Sequence, residues 1–120
     1  MKITEAERHV LQVLWENGST SAKDISILLN ERLGWKKTTT YTMITRCLSK
    51  GYLKRDDPGF LCTALVSKQL ASEWATDELI SSSFSGSADL LVASLIGRKK
   101  LSVSQMETLY KMLQEMEQQN

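Results

Sequence analysis

Residues 36–55 read KKTTTYTMITRCLSKGYLKR and hold six basic residues (Lys36, Lys37, Arg46, Lys50, Lys54, Arg55) with no acid, in a chain whose formal net charge is only +1. A run of one sign inside a balanced chain points to a polyanionic partner, and the phosphate backbone of a nucleic acid fits that description. On a helix from Thr38 to Lys50, Thr40, Met43, Ile44, Cys47 and Leu48 gather on one side, where they can face a core. Thr38, Thr42, Thr45 and Ser49 fall on the opposite side, with Tyr41 and Arg46 at its edges. β-branched Thr lowers helix propensity, so helix stability did not choose this face. Short hydroxyl side chains let a helix sit deep in a major groove. There they can bond base edges or phosphates, or lay a Thr methyl against a thymine methyl. The alternative is a solvated Thr face with no ligand.

Upstream of this stretch, Thr4 followed by Glu7 forms a capping-box signal, opening a helix with Ala6, Val10, Val13 and Leu14 on one face until Asn17-Gly18. Ser21 with Asp24 opens a second helix, carrying Ile25, Leu28 and Leu29 and closing near Leu33-Gly34. Short links then join three successive helices, a helix-turn-helix plan whose third helix is the Thr-rich one. Downstream, Tyr52 to Arg55 and Leu61 to Thr63 read as strands around Asp57-Pro58-Gly59-Phe60. Pro at the second and Gly at the third position predict a type II turn. Three helices followed by a basic hairpin predict a winged helix over residues 1–66, with Lys54 and Arg55 placed on the wing to meet phosphate.

The remaining residues, 67–120, are helical by pattern and reverse the charge: ten basic and seven acidic groups up to residue 66 give way to five basic and seven acidic ones. Ser67 caps a helix running to about Ser82 with Leu70, Trp74 and Leu79; the Ser-rich stretch 81–87, with Gly86, breaks it. A short apolar helix holds Leu90, Leu91, Val92, Leu95 and Ile96. Ser102 with Gln105, or Ser104 with Glu107, starts the last one, which shows Met106, Leu109, Tyr110, Leu113 and Met116 at spacings of three and four. So small a segment buries too little of this apolar surface by itself. These residues, with Leu70 and Trp74, are therefore expected to pair two copies about a two-fold axis, a homodimer that would double the contacts to a duplex. Folding back over the N-terminal helices in a monomer is the alternative.

Composition bounds the remaining classes. One proline and six glycines argue against long disorder. The first residues, MKITEAERH, lack a signal-peptide core, and the longest aliphatic run, Leu90 to Ala93, is too short to span a bilayer, so the expected location is the cytoplasm, with no membrane partner. Cys47 and Cys62 read as small buried hydrophobes in a reducing compartment, a redox-sensing pair being the alternative. The single histidine, His9, has no Cys, Asp or Glu at a metal-ligand or triad spacing, and no P-loop or GxGxxG occurs, so no enzyme, metal or cofactor is expected. The remaining competitor for a DNA-binding role is a winged-helix protein-interaction adaptor or anti-repressor.

The motifs resemble the penicillinase-repressor family of Gram-positive bacteria. The resemblance is carried by Ile3-Thr4-Glu5-Ala6-Glu7, by Val13-Leu14-Trp15, by the run from Trp35 to Arg46, by Lys50-Gly51-Tyr52-Leu53, by Leu65-Val66-Ser67 and by Leu101-Ser102. It implies a transcriptional repressor, dimeric through its C-terminal helices, on inverted-repeat operators of the TACA/TGTA kind. It also implies Thr38, Thr39, Thr42 and Arg46 as the main contacts to double-stranded operator DNA. Three departures stand out. Copper-responsive members end in paired metal-binding cysteines, whereas residues 67–120 contain neither Cys nor His, which excludes that device. Members responsive to β-lactams are cut at an Asn-Phe bond, where this chain carries Ser94-Leu95. The wing lacks the Arg that members often place after the turn glycine, which predicts weaker wing contact.

Overall fold

Thr4 Oγ1 accepts the Glu7 amide at 3.2 Å while Glu7 Oε1 accepts the Thr4 amide at 2.9 Å, so the predicted capping box is formed in both directions. In the computed structural model, which describes residues 2–119, this box opens α1 (Glu5–Asn17). The chain continues through β1 (Thr20–Ser21), α2 (Ala22–Leu33), α3 (Lys37–Ser49), β2 (Leu53–Asp56), β3 (Leu61–Ala64), α4 (Lys68–Ser83), α5 (Ala88–Gly97) and α6 (Val103–Gln119). The fold is mainly helical with a small antiparallel sheet, a winged helix-turn-helix followed by further helices, as the sequence predicts. Ser21 Oγ accepts the Asp24 amide at 3.1 Å and starts α2. Gly34 ends that helix at φ 70°, the left-handed cap conformation that glycine adopts without a Cβ penalty.

The hairpin turn falls on residues 57–60, as predicted, and Gly59 takes φ 95°, the positive value its turn position demands. One strand was not legible. The two residues of β1 lie in what reads as a link, yet they pair antiparallel with β3, Thr20 opposite Cys62 and Ser21 opposite Leu61. The sheet order is β1-β3-β2, so β3 is central and the wing is stitched to the start of α2. The Ala22 amide adds a bond to the Phe60 carbonyl at 2.9 Å.

The core is shared by α1 (Val10, Leu11, Val13, Leu14), α2 (Ile25, Leu29), α3 (Ile44, Cys47), the hairpin (Leu53, Cys62), Tyr52 and Ala71 of α4. Trp15 Nε1 donates to the Val66 carbonyl at 2.8 Å, tying the end of the wing segment to α1, and the Tyr52 hydroxyl donates to the Lys2 carbonyl at 2.6 Å, tying the start of the hairpin to the residues that precede α1. Two compact units result, one ending at Glu78 and one beginning at Leu79. Trp74, expected at an interface between copies, packs against the core of the first unit, its ring 6.0 Å from that of Tyr52. In the second unit, Ser102 and Gln105 cap each other at 2.9 and 3.1 Å, which decides the start of α6 in favour of that pair. Among the described residues, no single helix is long and apolar enough to cross a membrane.

Glu7 also has a partner far along the chain. Its side chain is fully buried, and Lys50, which caps the C-terminus of α3, brings Nζ to 3.0 Å from Oε1 and 2.8 Å from Oε2. The contact to Oε2 is ionic rather than a directed hydrogen bond. Burial pushes the Glu7 carboxyl up, but the hydrogen bonds from Lys50 and Thr4 outweigh it and hold it below its ordinary value. A carboxylate depressed in the folded state stabilises it above the unfolded pKa, and that stability is lost as pH falls through the folded value. Glu7→Ala is therefore expected to reduce unfolding free energy by about 2 kcal/mol at neutral pH, by removing both the cap and the ion pair. Urea titrations should show the gap to wild type narrowing below about pH 4. A gap unchanged by acid would assign the loss to packing instead.

Candidate nucleic-acid interface

On α3 the two faces separate as the periodicity predicts. Thr40, Ile44 and Cys47 are fully buried, and Met43 and Leu48 half-buried. Thr38, Thr39, Thr42, Thr45, Arg46 and Ser49 are all exposed, and Tyr41 at the edge is half-buried. The helix begins one residue earlier than the pattern indicates, so Lys36 is its N-cap and Lys37 its first residue, with no side-chain cap and no acid in the first turn. That end therefore offers backbone N–H groups and two lysines together.

The six cations of residues 36–55 do not form one uniform patch. Lys36, Lys37 and Arg46 are exposed and make no ion pair among the described residues, although Lys37 Nζ lies 5.6 Å above the Tyr41 ring. Lys50 is committed to Glu7. On the wing, Lys54 lies 3.4 Å from Asp56, and Arg55 Nε bonds both carboxylate oxygens of Asp57 at 3.1 and 3.2 Å. The guanidinium also stacks 3.7 Å from the Phe60 ring, which meets Tyr41 of α3 edge-on at 5.9 Å. Phe60 itself sits at φ 49°, with its amide 3.3 Å from Asp57 Oδ1. The wing is thus nearly neutral and braced against α3. Phe60, Asp56 and Asp57 take part in the site without having been singled out by sequence. A count extended past Arg55, with the two-residue period of a strand, would have placed Lys54 with Asp56.

Both cysteines are buried free thiols. Burial, with the nearby Glu7 charge, pushes the Cys47 thiol up to about 12, and burial pushes Cys62 to about 11. Neither offers the thiolate that redox chemistry needs. Native protein at about pH 8 is expected to resist iodoacetamide at both positions and to react at both on unfolding, read by mass spectrometry. Rapid labelling of the folded chain would restore the sensing-pair alternative.

The face expected to join two copies is open. No described residue of α5 or α6 is buried. Leu90 and Ile96 are exposed and Leu91 and Leu95 half-buried; Met106, Leu109, Tyr110, Leu113 and Met116 are between 41% and 64% exposed, and Leu70 on α4 is exposed as well. Val103 and Met112, not singled out by sequence, extend the apolar surface of α6.

The penicillinase repressor family matches residues 3–115. A 16.5 kDa protein from the ptsI 3′ region of Latilactobacillus sakei is 31% identical over 93% of this chain and 78% of its own length. The penicillinase repressor of Bacillus licheniformis is 24% identical, covering 95% of this chain and 91% of that protein. The methicillin resistance regulatory protein MecI of Staphylococcus aureus is 26% identical over 93% of each. Among solved structures, the DNA-binding domain of the repressor BlaI superposes with a TM-score of 0.52 at 28% identity, covering 57% of this chain and 90% of that one. Monomeric Bacillus licheniformis BlaI in complex with the blaP half-operator gives the same TM-score at 27% identity, over 57% of this chain and 87% of that one.

Proposed function

This chain belongs to the penicillinase repressor family, and from that premise we propose that it is a DNA-binding transcriptional repressor acting as a homodimer on an inverted-repeat operator of the TACA/TGTA kind. The observation that carries this reading is the exposed face of α3, where Thr38, Thr39, Thr42, Thr45, Arg46 and Ser49 stand clear of the core with Lys36 and Lys37 at one end. A helix held from behind by α1 and α2 and studded with short polar side chains suits the width of a major groove. The likeness to monomeric BlaI on a half-operator, over 57% of this chain and 87% of that one, supports this reading.

Within this proposal the contacts divide by chemistry. Lys36, Lys37 and Arg46 neutralise phosphates, with Thr38, Thr39 and Ser49 beside them; Tyr41, Thr42 and Thr45 lie toward the bases. Lys50, Lys54 and Arg55 act first through their acidic partners, holding α3 and the wing in place, and reach phosphate only by exchanging those partners. The exposed apolar residues of α5 and α6 supply the two-fold interface, which a second copy satisfies with the same surface. Two reading heads on one dimer then bind two half-sites with an affinity neither head has alone. Repression is steric: the bound dimer occupies the cytoplasmic promoter DNA that polymerase needs.

The direct test is electrophoretic retardation of a library of fragments from the protein's own genome at about 50 mM salt, followed by sequencing of the retained DNA. Recovery of fragments sharing an inverted repeat is the expected result. Absence of any retained fragment would overturn the proposal.

A further inference from the structure

Two of the exposed threonines of α3 have already spent their only proton. Thr42 Oγ1 donates to the Thr38 carbonyl at 2.9 Å, and Thr45 Oγ1 donates to the Tyr41 carbonyl at 2.9 Å. Thr38, Thr39 and Ser49 differ: among the described residues, none of their side chains makes a hydrogen bond, so their protons are free to give.

This difference sorts the face. Phosphate oxygens accept hydrogen bonds and cannot donate, and the same holds for guanine O6 and N7, adenine N7 and thymine O4. A hydroxyl whose proton is bonded back to its own helix serves none of them. Turning the hydroxyl onto the helix shaft leaves Thr42 and Thr45 no proton to donate, the oxygen keeping only its capacity to accept, and brings the γ-methyl to whatever covers the face. Three residues apart on a helix, the two methyls lie side by side. The base-edge group in the major groove that is itself apolar is the 5-methyl of thymine.

Resting on the proposed DNA-binding function, we infer that Thr42 and Thr45 are specificity-determining residues that read thymine through methyl–methyl contact, their hydroxyls being kept from donating to base edges by the bonds to Thr38 and Tyr41. The free hydroxyls of Thr38, Thr39 and Ser49 belong to phosphates. An operator of this protein then carries, in each half-site, thymines whose methyls face α3.

The test uses a duplex selected from random-sequence DNA by the full-length protein, resynthesised with deoxyuridine for thymidine one position at a time. Deoxyuridine keeps every hydrogen-bonding atom and lacks only the methyl. Wild type is expected to lose about fourfold in affinity at each contacted position, the transfer value of one methyl. Thr42→Val keeps the methyl and drops the hydroxyl, so it should retain that penalty. Thr42→Ser keeps the hydroxyl and drops the methyl, so its penalty should vanish at one position while Thr45→Ser abolishes it at another. Circular dichroism checks that the variants are folded. Equal wild-type affinity for every uridine duplex, or an undiminished penalty in Thr42→Ser, would overturn the inference while leaving salt-dependent binding, and so the proposed function, intact. Failure to select any duplex at low salt would overturn both.

Discussion

Raising monovalent salt from about 50 to 200 mM should weaken the operator complex of this protein by about 10³-fold. The figure follows from the cations that the fold leaves unpaired. In the proposed dimer, Lys36, Lys37 and Arg46 of each protomer would make about six phosphate contacts, each releasing counterions that oppose binding as salt rises. The slope of log affinity against log salt is then roughly −5. Were Lys50, Lys54 and Arg55 to leave Glu7, Asp56 and Asp57 for phosphate, the contact number would double and the slope would exceed roughly −10 in magnitude. Fluorescence anisotropy over a salt series separates the two. Arg46→Ala should flatten the slope by about 2 and weaken all duplexes alike, because a phosphate contact carries no sequence information. A slope near zero would point instead to a protein partner and an adaptor role.

The second large effect is expected on α6. Leu109→Glu with Leu113→Glu places two charges on the apolar face where these leucines are 41% and 58% exposed in the single chain. The proposed two-fold interface would repeat each substitution, so four like charges would meet across it. Sedimentation should show a monomer, and operator affinity should fall about 10²-fold or more as the second half-site no longer binds at high effective concentration. Neither residue belongs to the core of the first unit, so the near-ultraviolet signals of Trp15 and Trp74 should persist. A dimer that survives the double substitution would place the two-fold contact elsewhere. A monomer with undiminished affinity would remove the link between assembly and binding.

Much of this molecule was legible because it is local. The reciprocal caps Thr4/Glu7 and Ser102/Gln105 span three residues, and the division of α3 into Thr40, Ile44 and Cys47 inside and Thr38, Thr42 and Thr45 outside needs only the helical period. The turn at 57–60 needed only its own Pro and Gly. Those features determine that the chain is a helix-turn-helix with a hairpin behind it, and which face of the third helix is presented.

What the tertiary structure decided is which charges are free and which apolar residues are satisfied. Lys50 looks like its cationic neighbours until the fold brings it to Glu7, 43 residues away, where a buried carboxylate demands a partner. Trp74 has the same apolar character as the leucines of α5 and α6, yet the core around Tyr52 takes it and leaves them open. Two-residue β1 exists only because β3 lies beside it to complete its hydrogen bonds. Period and capping are set by neighbours along the chain; pairing and burial are set by distance in space, which closes only when the whole unit has folded.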